Sequence, residues 1–279
     1  MLRFALCSAL CVSACGHSSG ASAPVLPPEQ NTTHPAHADP RPFTVTCAEG
    51  DLCPPHVGML TSWRGDYHER CSGTLIGPRL FLTAGHCVSP DMRRAGAPCP
   101  NHRIYFAPSG ELQASVHRCV QILEIEVPPQ GELLSNDYAI LELEAPASRP
   151  VAVPDPRLPE PGSTVRVSGI ATIEGSDVAH RLLTQSCLVT DSSRATAALG
   201  PAAARMGWLE RCYIHPGHSG APAHDEEGRV RAFVHAGGDP FFALGVMNPL
   251  PDLQSSSGGS APEPASSAPP EPKASSNPL

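Results

Sequence analysis

Eight cysteines between residues 47 and 212 constrain what this chain can fold into more than any other feature of its sequence. The chain has 11 cysteines, and three of them, Cys7, Cys11 and Cys15, lie in an apolar N-terminal segment. The even remainder in an exported chain predicts four disulfides, although their pairing does not follow from the sequence alone. The alternative is a zinc site, which paired CxxC or HExxH segments would indicate and which this sequence lacks. The eight cysteines are Cys47, Cys53, Cys71, Cys87, Cys99, Cys119, Cys187 and Cys212.

The N-terminus has the features of an export signal over residues 1–14. Arg3 precedes an apolar run from Phe4 to Val12, which is too short to span a membrane. The segment Val12-Ser13-Ala14-Cys15 resembles the bacterial lipoprotein box, so we expect cleavage before Cys15 and a membrane anchor of lipid on its sulfur. Gly16 after it resembles sorting to the outer membrane. Alternatively, the segment is an ordinary secretory signal in which Cys15 has no role. Both interpretations predict export, either to the bacterial cell envelope or into the medium.

Composition predicts one folded region of short strands between two unstructured segments. Residues 15–42 form a tether rich in proline and serine, and residues 253–279 form a disordered tail. Aromatic residues make up 5% of the chain, whereas its 33 prolines and 24 glycines supply many turns, which favours an all-β domain over residues 43–252. Alanine-rich sequence over residues 193–209 predicts one helix, interrupted at Gly200-Pro201. The net charge of -8, without a long basic run, argues against a nucleic-acid partner.

Three short segments carry a histidine, an aspartate and a serine, in that order. They are Cys71-Ser72-Gly73 with Ala84-Gly85-His86-Cys87, then Asn136-Asp137-Tyr138, then Gly217-His218-Ser219-Gly220. A serine hydroxyl is a poor nucleophile at neutral pH, so it needs an imidazole to take its proton and a carboxylate to orient that imidazole. The glycines around Ser219 permit a tight turn that leaves backbone N–H groups free to face a substrate carbonyl. The three segments therefore predict a nucleophilic serine.

The order and spacing of these segments resemble the trypsin and chymotrypsin family of serine proteases over roughly residues 57–249. The resemblance implies two six-stranded antiparallel β-barrels packed together, here about residues 43–150 and 151–252, with the catalytic groups between them. It implies that His86 is the general base, that Asp137 orients it and that Ser219 is the nucleophile. It also implies an oxyanion hole formed by the N–H groups of Gly217 and Ser219. An esterase or lipase would instead show a GxSxG turn and a different chain order.

Within this resemblance, two disulfides would support the site. A Cys71–Cys87 disulfide would hold the loop of His86 against the preceding strand, and a Cys187–Cys212 disulfide would brace the segment that leads to Ser219. We expect Cys99 to pair with Cys119 and Cys47 with Cys53 as local pairs.

The sequence departs from the trypsin pattern at two places. His218 precedes the nucleophile, where trypsin-like enzymes usually carry an aspartate, and this argues against activation by a newly cleaved α-amine. The last strand is followed by Pro249-Leu250-Pro251 instead of the usual C-terminal helix.

Bacterial glutamyl endopeptidases resemble this chain in two respects, at His218 before the nucleophile and at Val234-His235-Ala236-Gly237-Gly238, one hairpin later. They often have a neutral residue before the nucleophile, and their histidine matching His235 binds an acidic side chain. We therefore expect His235, with Ile214 and Gly238, to line a pocket that prefers Glu before the cleaved bond. In the alternative interpretation, His235 only packs at a strand end. Tyr213 stands where an aspartate would pair with Lys or Arg, so a basic preference is not expected.

The sequence thus predicts an exported, membrane-tethered and monomeric serine endopeptidase that cleaves proteins or peptides through an acyl-enzyme on Ser219. No metal ion or organic cofactor is expected. The alternative is a catalytically silent protease homologue that acts as a surface binding module, which His218 and the missing terminal helix would suit. The presence of all three triad residues favours the enzyme.

Overall fold

The structure, a computed structural model, describes residues 43–48, 53–64, 67–129, 136–173, 178–237 and 245–251. The predicted signal peptide, Cys15, the tether, the C-terminal tail and Gly238 lie outside these residues. The regular structure of the described chain is mostly β-strand with almost no helix, which confirms the predicted all-β class. Among the described residues, no helix combines the length and the apolar character needed to cross a membrane.

Six antiparallel strands form a closed barrel in the first half of the described chain. The order around the barrel is β2-β3-β4-β7-β6-β5, and every neighbouring pair is antiparallel. Large apolar side chains such as Phe81, Phe106 and Leu141 fill its interior and are fully buried. The strands are β2 (Val57–Arg64), β3 (Tyr67–Gly77), β4 (Leu80–Thr83), β5 (His102–Phe106), β6 (Ser115–Glu126) and β7 (Tyr138–Leu143).

Six later strands form a second sheet, to which a short N-terminal strand is added. Pairing between β8 and β9 joins the two ends of the row β9-β10-β13-β12-β11-β8, and all these pairs are antiparallel. Buried valine and alanine side chains, among them Val167, Val189 and Ala232, line its core. The strands are β8 (Thr164–Thr172), β9 (Ala179–Thr190), β10 (Gly207–Glu210), β11 (Pro222–His224), β12 (Val230–Gly237) and β13 (Gly245–Pro249).

The N-terminal strand β1 (Thr44–Cys47) is an exception to the division near residue 150 that the sequence suggested. It precedes the first barrel but pairs in parallel with Ala179–Leu182 of β9 in the second sheet. Phe43 and Val45 anchor it in an apolar cluster with Met59, Ile170 and Leu182. The first residues of the described chain therefore belong to the second sheet.

The predicted helix forms, and it is interrupted at the predicted place. Helix α1 (Ser193–Leu199) ends at Gly200, whose φ of 88° does not continue a helix, and a 3₁₀ turn follows over Pro201–Arg205. Trp208, just after this turn, is buried and donates its indole N–H to the carbonyl of Ala203 at 2.9 Å.

The eight cysteines of the described residues form four disulfides, as predicted. They join Cys47 to Cys53, Cys71 to Cys87, Cys99 to Cys119 and Cys187 to Cys212. The Cys71–Cys87 bond connects β3 to the loop after β4, and the Cys187–Cys212 bond connects β9 to the segment that precedes Ser219. Each pair closes a loop of fewer than thirty residues, the longest sequence separation being 25.

Two histidines, the half-buried His56 and the buried His224, meet where the first barrel touches the second sheet. His56 lies just before β2 and His224 ends β11, and their Nε2 atoms are 2.9 Å apart. His224 donates its Nδ1–H to the carbonyl of Arg166 at 3.3 Å, so its Nε2 accepts the Nε2–H of His56. This arrangement requires the ring of His224 to be neutral, because its Nε2 must keep a lone pair.

The histidine pair predicts that the fold loses stability in mild acid. Burial and the neighbouring His224 lower the pKa of His56 from 6.5 to about 4, and burial does the same to the pKa of His224. Between pH 6.5 and about pH 4 the unfolded chain binds more protons than the folded chain. The free energy of unfolding therefore falls as the pH falls, by up to about 1.4 kcal/mol per pH unit for each histidine. Urea titrations at several pH values from 7 to 4 measure this slope. A His56→Gln, His224→Gln double variant should show a slope shallower by at least about 1 kcal/mol per pH unit; an unchanged slope would contradict the assignment.

Candidate active site

His86 stands on a short 3₁₀ turn, Gly85–Cys87, that follows the buried strand β4. The Cys71–Cys87 disulfide ties this turn to β3, and the side chain of Arg93 donates to the carbonyls of His86 at 2.7 Å and Val88 at 2.8 Å. The imidazole itself is about one third exposed. The local structure therefore fixes the backbone of His86 while leaving one face of its ring accessible.

Asp137 lies one residue before β7 and is completely buried. Its Oδ1 accepts the backbone N–H of His86 at 2.8 Å, and its Oδ2 accepts the Nδ1–H of the same residue at 2.5 Å. Burial raises the pKa of Asp137, but hydrogen bonds from His235 and His86 outweigh it and lower the pKa to about 2. The carboxylate is therefore ionised at neutral pH, and it can only accept.

The contact with Asp137 decides which tautomer His86 adopts. Because Nδ1 carries the proton that Asp137 accepts, Nε2 of the neutral ring holds a lone pair and can take a proton from a nucleophile. A carboxylate in this position also stabilises the imidazolium once the ring has been protonated. His86 and Asp137, which the sequence predicted as partners, are thus brought together.

Ser219 is held in a tight turn between two strands that border the site. Its carbonyl accepts the N–H of Ser72 at 2.8 Å, next to the Cys71 bridge, and the following residue, Gly220, donates to the carbonyl of Val234 at 2.7 Å. Val234 is the neighbour of His235, which contacts Asp137. These contacts place Ser219 between the strand bonded to the His86 loop and the strand that carries His235.

The backbone around Ser219 has the polarity that an oxyanion hole requires. The carbonyl of His218 accepts the N–H of Ala221 at 2.8 Å, and because the peptide is trans, the N–H of Ser219 points the opposite way. Within the described residues, neither Ser219 nor Gly217 donates its N–H to any group. Gly217 has a φ of 100°, and a Cβ at this position would lie 2.5 Å from the carbonyl oxygen of Ile170, so glycine is required there.

Ser72 links the two halves of the fold at this turn. Its buried hydroxyl donates to the carbonyl of Gly217 at 2.7 Å and accepts the N–H of Ile170 in β8 at 2.8 Å. The sequence placed Ser72 beside a site residue but gave it no role. Its role depends on the carbonyl of Gly217 and the N–H of Ile170, which come within reach of its hydroxyl only when the first barrel packs on the second sheet.

His218 is buried and uncharged at the place where a trypsin-like enzyme carries an aspartate. Its Nδ1 accepts the backbone N–H of His215 at 3.2 Å, and its ring packs so closely on Gly169 that a Cβ there would come within 2.5 Å of it. Burial and the adjacent His215 lower the pKa of His218 to about 4. The ring of His218 is therefore neutral at pH 7.

Changing His218 to Asp should therefore destabilise the fold more than changing it to Asn. An aspartate would bury a charge and lose the ring packing on Gly169, at a cost of about 2–5 kcal/mol, whereas asparagine stays neutral and keeps an acceptor for the N–H of His215. Chemical denaturation of both variants at pH 7 measures the difference. Equal stability of the two would show that neutrality at this position does not matter.

The predicted specificity residues are placed as follows. His235 is buried near the end of β12 with 5% of its surface exposed, and its Nδ1 lies 2.6 Å from Oδ2 of Asp137. Its Nε2 is buried and has no hydrogen-bond partner within the described residues. Ile214 is half-buried at the edge of the apolar cluster under the second sheet, and Gly238 is outside the described part of the chain.

The contact between His235 and Asp137 has no signature in the sequence. Nor does the sequence single out Glu69 of β3, a half-buried carboxyl whose pKa is raised by burial, although the nearby His86 and Arg93 oppose this. Neither residue belongs to the three segments that carry the triad. The available signal was that Glu69 shares strand β3 with Cys71, and that His235 lies one hairpin after Ser219.

Two groups in this region have enough donor atoms to suggest a metal ion. The first group is Cys71, His86 and Cys87. Its two cysteines are bonded to each other, so neither has a thiolate that could bind a metal ion. In the second, His86 and His235 approach Oδ2 of Asp137 at 2.5 and 2.6 Å, whereas two ligands of one tetrahedral zinc ion stand about 3.3 Å apart. The distances in the second group are those of hydrogen bonds between the two histidines and Asp137.

Comparison with known sequences identifies the family. A family model described as Trypsin matches residues 44–242, and the chain therefore belongs to the trypsin family of serine proteases. Human Kallikrein-15 is 33% identical over 133 residues, which cover 43% of this chain and 46% of that protein. Modular serine protease of Drosophila melanogaster is 32% identical over 104 residues, or 34% of this chain and 16% of that protein. The matched region is thus less than half the length of either relative.

Solved structures show the same fold. The scabies mite inactivated protease paralogue S-I1 superposes with a TM-score of 0.60 at 19% identity and covers 75% of this chain and 96% of its own. Mouse neuropsin, a serine protease expressed in the limbic system of the brain, gives a TM-score of 0.55 at 18% identity, with coverage of 72% and 93%.

Proposed function

We propose that this protein is an exported serine endopeptidase that uses His86, Asp137 and Ser219. The observation that carries the proposal is the double contact of a buried, ionised Asp137 with both the backbone N–H and the Nδ1–H of His86. That arrangement leaves Nε2 of His86 as a base, and such a base is of use only beside a group whose proton it can take.

The reaction follows from these groups. Nε2 of His86 takes the hydroxyl proton of Ser219 as Oγ attacks the substrate carbonyl carbon, and the resulting oxyanion accepts the N–H groups of Gly217 and Ser219. His86 then gives its proton to the leaving amine as the C–N bond breaks, which leaves an acyl-enzyme. A water molecule, deprotonated by His86, attacks this ester, and the proton returns to Ser219 as the C–O bond breaks.

A catalytically silent binding module is the second candidate. It is favoured by the likeness of the fold to an inactivated protease paralogue of the scabies mite and by His218 in place of the usual aspartate. Against it, the chain retains the histidine, the aspartate and the serine, and the first two are hydrogen-bonded as the reaction requires.

Labelling with a fluorophosphonate separates the two candidates. The reagent forms a bond to Oγ of an activated serine and releases fluoride, so we expect the full-length protein to be labelled on Ser219, as located by peptide mapping. Ser219→Ala should abolish labelling, and Asp137→Asn should slow it by about 10⁴-fold. Folded wild-type protein that remains unlabelled would overturn the enzyme and favour the binding module.

We further propose export through the N-terminal signal, anchoring through Cys15, and a preference for Glu before the cleaved bond like that of the bacterial glutamyl endopeptidases. Support for this preference comes from His235, whose buried Nε2 has no partner within the described residues. Since its Nδ1 proton is directed at Asp137, Nε2 can donate to a substrate carboxylate only when the ring is protonated.

Matched peptides that differ only before the cleaved bond test this preference. We expect kcat/KM for Glu to exceed that for Gln, Ala and Phe by at least about 10-fold. Equal cleavage of the four peptides would contradict recognition of Glu by His235.

A further inference from the structure

The oxyanion turn, residues 215–221, consists of two consecutive β-turns that share His218. The carbonyl of His215 accepts the N–H of His218 at 3.0 Å, and the carbonyl of His218 accepts the N–H of Ala221 at 2.8 Å. The third residue of each turn is a glycine with a positive φ, 100° at Gly217 and 82° at Gly220, as a type II turn requires. His218 is therefore the residue on which both turns close.

The type of the first turn decides the direction of the Gly217 N–H. Type I and type II turns differ mainly by a rotation of the middle peptide through about half a circle. Here that peptide joins Pro216 to Gly217, so the N–H of Gly217 would point to the opposite side in a type I turn. An N–H that has to donate to an oxyanion thus depends on the turn staying in the type II form.

The side chain of His218 closes the first turn a second time. Its Nδ1 accepts the backbone N–H of His215 at 3.2 Å, so two hydrogen bonds join these residues, one through the backbone and one through the ring. The ring is completely buried, and it packs so closely on Gly169 of β8 that only a glycine fits there. Because Nδ1 accepts, the ring proton lies on Nε2, which is buried and has no partner within the described residues.

Ser72 holds the same turn from the first barrel. Its hydroxyl donates to the carbonyl of Gly217 at 2.7 Å, and its backbone N–H donates to the carbonyl of Ser219 at 2.8 Å. One residue thus fixes two carbonyls of the oxyanion turn. None of the contacts made by Ser72 or by His218 involves a free α-amine.

We propose that His218, together with Ser72, is a positioning residue that locks the oxyanion turn in its active form, so that this protease is active with the chain upstream of Phe43 still attached. An aspartate at residue 218 could hold the turn by pairing with a newly cleaved α-amine. A neutral imidazole whose Nδ1 is already occupied offers that amine no charge. The inference rests on the proposed function, because the turn matters for catalysis only if Ser219 is the nucleophile.

Labelling of the intact chain tests whether cleavage is needed. The full-length protein is treated with a fluorophosphonate, and the mass of each labelled species is measured without digestion. We expect label on molecules that still carry residues upstream of Phe43, at the same rate as on any molecules cleaved there. Label confined to molecules whose N-terminus lies next to β1 would overturn the inference.

Two variants at residue 218 separate positioning from packing. His218→Asn keeps a neutral acceptor for the N–H of His215, whereas His218→Leu fills the space without one. For peptides that the wild-type protein cleaves, we expect kcat to fall at least about 10-fold in His218→Leu, with KM little changed, and less than about 3-fold in His218→Asn. Ser72→Ala, which releases the carbonyl of Gly217, should lower kcat as His218→Leu does. His117→Leu, which removes a half-buried imidazole from β6, is the control.

A peptide aldehyde reports on the oxyanion hole directly. Oγ of Ser219 adds to the aldehyde carbon, and the oxygen on that carbon then lies where the oxyanion forms, whereas the corresponding alcohol binds without forming this bond. We expect His218→Leu to weaken binding of the aldehyde at least about 10-fold and to leave binding of the alcohol unchanged. Equal weakening of both compounds, or equal losses in His218→Leu and His218→Asn, would show that His218 acts only by packing, and the inference would be wrong.

Nuclear magnetic resonance tests the turn without turnover. In ¹⁵N-histidine-labelled Ser219→Ala protein, His218 should carry its proton on Nε2, with signals that disappear when His218→Leu is added. The amide proton of His215 should exchange with solvent faster once that acceptor is gone. A proton on Nδ1 of His218 would overturn the inference. If the wild-type protein stays unlabelled while these signals appear as expected, the proposed function fails and the contact of His218 with His215 stands.

Discussion

The carboxylate of Asp137 is the point on which the rest of the site depends. A fully buried charge is costly, and the fold meets that cost with donors aimed at it from the His86 loop and from β12. Those donors can converge only if the first barrel and the second sheet are closed and pressed together. The ionised aspartate is therefore both a product of the assembled fold and the reason that His86 has a defined tautomer.

Much of the site was predictable because its signals are local. The turn chemistry of Gly217-His218-Ser219-Gly220, and the loop that ends at His86-Cys87, depend on residues a few positions apart. The strands and the break at Gly200 were likewise readable, since a positive φ and a following proline act on the chain in their immediate vicinity. The disulfides formed between the expected cysteines because the paired strands bring those loops together.

The parts that could not be predicted depend on distant contacts. Strand β1 pairs with β9 more than a hundred residues later, and nothing in Thr44–Cys47 distinguishes that partner from a strand of the first barrel. The direction of the His235 ring depends on where Asp137 lies after the two halves pack. A periodic pattern shows which residues are buried but not which buried polar group each one meets.

The hydroxyl of Ser72 has a consequence for how this protein would fail. One small side chain joins Ile170 of β8 to Gly217 of the oxyanion turn, and the N–H of the same residue holds the carbonyl of Ser219. A slip of the second sheet along the first barrel by less than the length of one hydrogen bond would break this junction while every strand remained paired. Heating should therefore produce an inert protein with intact sheets before it produces an unfolded one.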